Sequence, residues 1–368
     1  SRPDLVQELE NLKNAANNIS TPFQLKQFNA EFSKFDTKVI QAGLHCKSFG
    51  DILKSAFSNF AQFFSASRII YEVMQSIKDM VSAVKELDAA MIELRKVTDA
   101  SETEFQAFFE RSKKTAIDYG TTMKDIINST ADFSRLGFNF EESEELAKTA
   151  SVYNMVGDIH NIDQATESII STMKAFGVEA KDSMSIVDKF NEVGNRFAIS
   201  SAGIGEAFLR SASSMEAANN TIDQSIALIT AANEIVQNPE KVGNAFKTIS
   251  MRIRGAETEL EEAGLDTEGM AKSTAKLREE ILALADVDIM LDENTFKSTY
   301  QIMDELSQKW ADLTDIQRAS ITELVAGKHQ GNVMSSLMTN FDKAREALEV
   351  SMDSAGSGMK EFEIQMDS

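Results

Sequence analysis

The sequence predicts a nearly all-α protein. Its apolar residues recur mostly three or four positions apart, which is the spacing of an amphipathic helix, and the 368 residues include only three prolines. Almost no stretch alternates apolar and polar residues between turn signals, as strands do. We therefore expect a long coiled-coil-like helix followed by a compact array of short helices with weak repeats of about 40 residues.

Five segments are predicted along the chain, and we expect the whole to be a fragment of a longer polypeptide. Glycines and helix-capping residues mark the helix borders within them. The segments are an N-terminal helical segment (1–47), a long coiled-coil-like helix (48–98), a helical core with weak repeats (99–255), an acidic loop-rich boundary (256–293) and a C-terminal helical segment (294–368).

The stretch from Ser48 to Thr98 predicts the long helix, because it contains no proline and a single glycine near its start. Its apolar or small residues follow alternating steps of three and four, the seam by which a helix packs against partner helices. Unbroken, the helix would be about 75 Å long, so we expect self-association. The alternative is a core helix of a monomeric bundle. The predicted seam consists of Leu53, Phe60, Phe63, Ile70, Met74, Ile77, Val81 and Val84.

Helix start and stop signals follow at regular intervals. Ser101 with Glu104 predicts a capping box, and a glycine after a helical run predicts a left-handed C-cap. The predicted helices are Glu102–Tyr119, Thr122 to Gly137, Asn139 to Gly157, Asp163–Phe176, Thr221–Gln237 and Asn238–Arg254. The patterns Phe133–Phe138 and Met173–Val178 match about 40 residues apart, which suggests the repeat.

The last part of the chain is less regular. Glu257–Glu268 carries six acids and no base, and we interpret it as a mobile loop or boundary. Beyond it we expect three helices, Asn294–Leu313, Asp315–Val325 and Lys328–Val350.

Three basic residues, Lys247, Arg252 and Arg254, give the helix before this acidic stretch a basic end. A phosphate contact is one interpretation. The favoured one is that basic side chains in a last turn interact with the helix dipole. The sequence leaves both interpretations open.

The sequence contains no pattern typical of a metal site or of an enzyme. His45 and Cys46 are adjacent, but a metal site needs more ligands at workable spacing, and the other histidines lie far away in the sequence. No phosphate-binding glycine loop, nucleophile elbow or zinc-binding motif occurs. We predict no metal, no cofactor and no catalytic activity.

The net charge of −21 bears on the possible partners. Such a surface is repelled by nucleic acid and by anionic membranes, which argues against a DNA-binding protein. It is compatible with a protein that DNA must pass without sticking. The sequence contains no apolar run long enough to span a membrane, so no membrane contact is predicted.

Five stretches of the chain resemble the core region of tail tape-measure proteins of tailed bacteriophages. In order and spacing the similarity covers roughly residues 68–350, and none of these motifs is catalytic in that family. The stretches are Leu87–Asp99, Phe133–Phe138, Met173–Val178, Val242–Thr248 and Leu324–Val333.

The resemblance implies a structural virion protein whose length sets the length of the tail tube during assembly. Such a protein would lie in the tail lumen near the tip, form a trimer or another small multimer, and contact the tail-tube and tail-tip or baseplate proteins. It would be present in the host cytoplasm during assembly and be released during DNA ejection. Our hypothesis is that the short helices form a folded plug and that the long helix leads into the extended part.

Two other classes of function are carried as alternatives. One is an α-helical repeat scaffold that mediates protein–protein interactions, which should show more and cleaner repeats than this chain does. The other is an enzyme such as a muralytic domain, although the sequence contains no catalytic motif that supports it.

Overall fold

The computed structural model describes residues 85–159 and 161–367, together with residues 82 and 83 and scattered positions between 7 and 35. Most of these residues are helical and none lies in a strand, although one isolated antiparallel bridge joins Met290 to Phe296. The prediction of an all-α fold is therefore confirmed. The described residues group into two compact units, Ser1–Lys148 and Thr149–Ser368. The five predicted segments and the coiled-coil and repeat features remain predictions.

From residue 85 onward, the described part of the first unit contains four consecutive helices. Of the predicted long helix, the structure describes mainly the C-terminal end, where α1 covers residues 85–97. Then follow α2 (Glu102–Asp118), α3 (Met123–Arg135) and α4 (Phe140–Val156), which continues into the second unit. Large apolar side chains form the core of the first unit, among them Phe28, Phe32, Phe35, Leu87, Leu94, Phe105, Phe108, Ile126 and Ile127.

The predicted helix borders in the first unit are confirmed by their caps. The Glu104 N–H donates to Ser101 Oγ at 3.3 Å, and the Ser101 N–H donates to Glu104 Oε2 at 2.7 Å, which completes the capping box. The Asp125 N–H donates to Thr122 Oγ1 at 3.1 Å. After α3 the chain turns at Gly137, whose φ of +89° is a left-handed value that favours glycine.

Twelve further helices follow in the described part of the second unit. Most bury an apolar face against two or more neighbours: α7 packs on α5 and α9, and α8 packs on α14 and α15. Their bounds are α5 Ile162–Phe176, α6 Met184–Gly194, α7 Ser201–Ala217, α8 Ile222–Val236, α9 Pro239–Ile253, α10 Glu257–Glu262, α11 Thr274–Ala285, α12 Thr299–Lys309, α13 Asp315–Ala326, α14 Gly331–Thr339, α15 Phe341–Met352 and α16 Ser357–Met366.

Three helices differ from the sequence expectation. The acidic stretch predicted as a loop contains the short helix α10, which the buried side chain of Leu260 attaches to its neighbours. The helix predicted from Asn294 begins only after Ser298, because the Lys297 N–H is bound to the Ile289 carbonyl at 3.0 Å. That bond keeps the preceding residues in an extended hairpin.

The helix predicted over Lys328–Val350 is interrupted. Residues Lys328–Gln330 form a 3₁₀ turn, and Asn340 separates α14 from α15. The Asn340 side chain donates from Nδ2 to the Ser336 carbonyl at 2.8 Å. A short amide side chain that binds the neighbouring backbone competes with the helical hydrogen bonds, which explains the break.

Candidate functional site

The self-association seam was the one site that the sequence assigned. All eight of its residues, Leu53, Phe60, Phe63, Ile70, Met74, Ile77, Val81 and Val84, lie outside the described residues, as do His45 and Cys46. The seam therefore stays a prediction. Among the described residues the most buried charged side chain is Arg252, which is 1% exposed and lies in the last turn of α9.

The guanidinium group of Arg252 binds four backbone carbonyls that belong to two separate segments. Nη1 donates to the Asp266 carbonyl at 2.8 Å, and Nη2 donates to the Glu268 carbonyl at 3.0 Å. On the other side, Nη2 and Nε donate to the carbonyls of Glu323 and Leu324 at 2.8 and 3.3 Å. One side chain thus joins the acidic segment after α10 to the last turn of α13.

Burial of the Arg252 guanidinium lowers its pKa, and the nearby carboxylates of Asp266 and Glu323 partly offset this effect. Arginine nevertheless stays protonated in proteins. The last carbonyls of a helix lack intrahelical partners and carry the negative end of its dipole. Arg252 therefore binds the carbonyls at the C-terminus of α13. The interaction with the C-terminus of its own helix, which the sequence favours, is not what the structure shows. Its burial also leaves it unavailable to a phosphate.

The neighbouring Arg254 has a different environment. Its guanidinium lies 4.3 Å from the centroid of the Phe296 ring, a cation–π distance, and Nη2 donates to the Lys297 carbonyl at 3.0 Å. Burial lowers the pKa of Arg254 to about 10. The third residue of the predicted basic end, Lys247, is half-buried. The three residues therefore do not form one exposed basic patch.

Gly327 makes room for the Arg252 site. Its φ is +74°, and a Cβ atom at this position would lie 3.0 Å from Asp266 Oδ2 and 3.2 Å from Arg252 Nη1. A side chain here would be strained by the backbone and would press on the guanidinium. Gly327 lies within the quoted stretch Leu324–Val333, and Arg252 follows shortly after Val242–Thr248. The fold thus brings one quoted stretch next to a residue that lies four positions after another.

The other quoted stretches also occupy structural positions. Gly243 lies where α9 crosses α7, and a Cβ there would lie 2.6 Å from the Ala207 carbonyl oxygen. Phe133 is fully buried, and Met173 is nearly so. The helices that contain these two residues are followed by glycines with positive φ. These residues explain the fold and supply no reactive group.

A second buried polar network fastens α16 to α6. Both oxygens of the Asp188 carboxylate accept N–H groups at the start of α16, from Gly356 at 2.9 Å and from Gly358 at 2.8 Å. Asn191 Nδ2 donates to Ser357 Oγ at 2.9 Å. A carboxylate at a helix N-terminus is favoured by the unpaired N–H groups and by the helix dipole.

The chemistry of these networks is structural. A permanently protonated guanidinium bound to carbonyls offers neither a proton acceptor nor a nucleophile. Across the residues that the structure describes, no group of three or more histidine, cysteine or acidic side chains could hold a metal ion. Within the same residues, no helix combines the length and the apolarity that a membrane crossing requires.

Comparison with known proteins identifies the family. The family model described as phage-related minor tail protein matches residues 111–327, which is more than half of the chain. The match begins within α2 and continues through α13, so it spans the Arg252 site and the crossing at Gly243. No solved structure matches the chain significantly. The chain belongs to the family of phage-related minor tail proteins, a structural family of virion components.

Proposed function

We propose that this chain is a structural tail tape-measure protein, which sets the length of the tail tube during assembly, occupies the tail lumen near the tip and leaves it during DNA ejection. The observation that carries the proposal is the family match over residues 111–327. The tape-measure role is more specific than the family match, and the order of the five quoted stretches supports it. No catalytic activity and no cofactor are part of the proposal.

The extended segment is the proposed ruler. An α-helix rises about 1.5 Å per residue, so the number of residues fixes a length. Residues 85–97, at the end of the predicted long helix, are helical and are followed by the capping box at Ser101. This agrees with a helix that reaches the folded part of the chain and stops there.

The short helices support a folded plug. The longest helices between residues 102 and 350 have 17 residues, so this part is not one continuous rod. Short helices that pack on several neighbours span far less length per residue than one continuous helix does, so this part is poorly suited to measure a long distance. We place this part near the tail tip.

The proposed partners follow from the seam and the charge. Copies of the chain associate along the seam from Leu53 to Val84 as a trimer or another small multimer, and contact the tail-tube and tail-tip or baseplate proteins. The net charge of −21 disfavours adhesion to DNA in the same lumen. Assembly takes place in the host cytoplasm, with no contact between this segment and a membrane.

A matched pair of length variants tests the ruler. Deletion of residues 50–84 in the encoding phage or prophage removes about five heptads and keeps α1 intact. Duplication of the same residues adds an equal length in the same phase. Electron microscopy should show tails that are shorter and longer, respectively, by about 52 Å. Tails of unchanged length in both variants would contradict the ruler and favour the helical scaffold.

A further inference from the structure

The acidic segment between α9 and α11 is held to the second unit at few points. From Gly255 to Lys272 the one fully buried side chain is that of Leu260. Glu257, Glu259, Glu261 and Glu262 of α10 are exposed. A segment with so little buried apolar surface has a low local stability unless polar contacts hold it in place.

Glycines with left-handed backbone lie at the start of this segment and near its end. Gly255 has a φ of +70° and directly follows the α9 C-cap, while Gly269 has a φ of +75°. Glycine changes its backbone angles without a Cβ penalty, and hinges are made of a few residues that absorb such changes. A Cβ at Gly269 would lie 2.6 Å from the Glu323 side chain, so this glycine also permits close approach to α13.

The side chains of Arg252 and Lys328 connect the second half of the segment, at Asp266 and Glu268, to the rest of the unit. Arg252 donates to the carbonyls of Asp266 and Glu268, and Lys328 forms an ion pair with the Glu268 carboxylate. Both members of that ion pair are more than half exposed, and exposed ion pairs contribute little. The buried guanidinium is therefore the stronger attachment.

We propose that residues 255–272 form a strap that detaches and unfolds locally as one cooperative unit, with Gly255 and Gly269 absorbing the change in backbone angles, and that Arg252 is the latch that holds it closed. The latch works because the planar guanidinium group binds the strap and the last turn of α13 at the same time. Opening the strap removes the Asp266 and Glu268 carbonyls, two of the four acceptors of Arg252. It also exposes the buried side chain of Leu260 and the surface on which that side chain packs. This inference goes beyond the tail role and does not depend on it.

Hydrogen exchange of the 368-residue chain with Arg252→Lys tests the latch. Lysine keeps the charge but cannot span both segments, since it is a single ammonium group on a flexible stem. We expect the strap amides to exchange at least about tenfold faster because hydrogen bonds from a charged donor are lost, while exchange in α5 and α8 stays unchanged. Unchanged exchange in the strap, or an equal increase in all three regions, would overturn the proposal.

Arg318→Lys is the matched control. Arg318 lies on α13 and also donates to backbone carbonyls, from Nε to Trp310 at 2.9 Å and from Nη2 to Ala311 at 3.0 Å. Among the described residues, no hydrogen bond or ion pair joins Arg318 to the strap, so this variant should leave strap exchange unchanged. Faster strap exchange in Arg318→Lys would show that loss of any such arginine loosens the unit, which would contradict a specific latch.

The wild-type chain provides a test that does not depend on how a variant folds. With increasing denaturant, the amides of Leu260, Ala263, Gly264 and Leu265, which are hydrogen-bonded within the strap, should converge on one opening free energy below that of α8. Four unrelated opening free energies would show that the strap does not open as a unit. Gly327→Ala, which leaves Arg252 in place but crowds it, should accelerate strap exchange about threefold; no acceleration would argue against the latch.

Discussion

Both units bury large aromatic side chains, but the second also brings helix backbones close to their neighbours at glycines. In the first, Phe105 and Phe108 pack on Phe140 with ring centroids 5.7 and 5.0 Å apart. In the second, Gly243 admits the backbone of Ala207, and α7 approaches Tyr153 at Gly205, where a Cβ would lie 2.3 Å from the tyrosine hydroxyl. The family match extends over parts of both units.

The two units should therefore be sensitive to different substitutions. An apolar core is stabilised mainly by buried area and tolerates changes that conserve volume. A close helix crossing depends on the absence of a side chain, and a buried charge depends on its complete set of partners. We therefore expect truncation of a buried aromatic side chain to damage either unit, and added atoms or the loss of single polar atoms to damage the second unit in particular.

The largest effect is expected from truncation in the first unit. Phe108→Ala removes a fully buried ring and should lower the free energy of unfolding of this unit by about 3–5 kcal/mol. Ile117→Ala on the same helix is the control, because Ile117 is 52% exposed and should change the value by less than about 0.5 kcal/mol. Denaturant unfolding measures both, and equal effects would contradict the assignment of the core.

An added methyl group should be costly in the second unit. Gly243→Ala places a Cβ against the Ala207 carbonyl and should lower the free energy of unfolding by about 1–3 kcal/mol. Gly331→Ala meets only the Thr322 methyl group at 3.6 Å, an ordinary contact, and should be neutral or stabilising by up to about 1 kcal/mol. The comparison fails if the two alanine variants behave alike in thermal unfolding.

Loss of one acceptor should loosen the last helix. Asp188→Asn keeps the shape but leaves one carboxylate oxygen position occupied by an NH₂ group that cannot accept a hydrogen bond. We expect a loss of about 1–2 kcal/mol and faster hydrogen exchange in α16, with the other helices unchanged. Asp353→Asn, at an exposed position before α16, should leave that exchange as it is. Unaltered protection of α16 in Asp188→Asn would refute the role of this carboxylate.

The smallest effect concerns an exposed ion pair of the first unit. Arg95 binds Glu102 at 2.6 and 3.0 Å, and hydrogen bonds from Arg95 and then Gln106 lower the pKa of Glu102 to about 2. A lowered pKa means that the pair stabilises the fold above the ordinary carboxyl pKa, and that this contribution is lost as the pH falls through about 2.

Arg95→Ala should raise the pKa of Glu102 toward its ordinary value, as an NMR titration would show, with little change in stability because solvent screens exposed pairs. A Glu102 pKa that does not move in this variant would show that the hydrogen bonds from Arg95 do not cause the shift.

Local signals explain how much of the fold could be predicted. Capping residues and glycines act within one helical turn, so the borders at Ser101, Thr122, Asn139 and Thr221 could be predicted from neighbouring residues. The borders that were missed depend on distant partners. The late start of α12, for example, follows from the hydrogen bond between Lys297 and Ile289.

The Arg252 site could not be predicted for the same reason. Its acceptors are backbone carbonyls more than ten residues away. Because every residue has a backbone carbonyl, the residue types do not show which ones accept a hydrogen bond. One signal was available: Arg252 lies on the apolar face of α9, between the buried residues Ile249 and Ile253. A charged residue at such a position needs partners, whereas a helix-dipole interaction does not require burial.

The chain belongs to a structural family of tail proteins, and protease protection in intact particles tests most directly the proposal that it lies in the tail lumen. Particles of the encoding phage or prophage would be purified, treated with protease before and after triggered DNA ejection, and analysed for peptides of residues 85–367. We predict that the chain is present and protected before ejection, and released or digested afterwards. Absence of the chain from purified particles, or full digestion before ejection, would contradict the account.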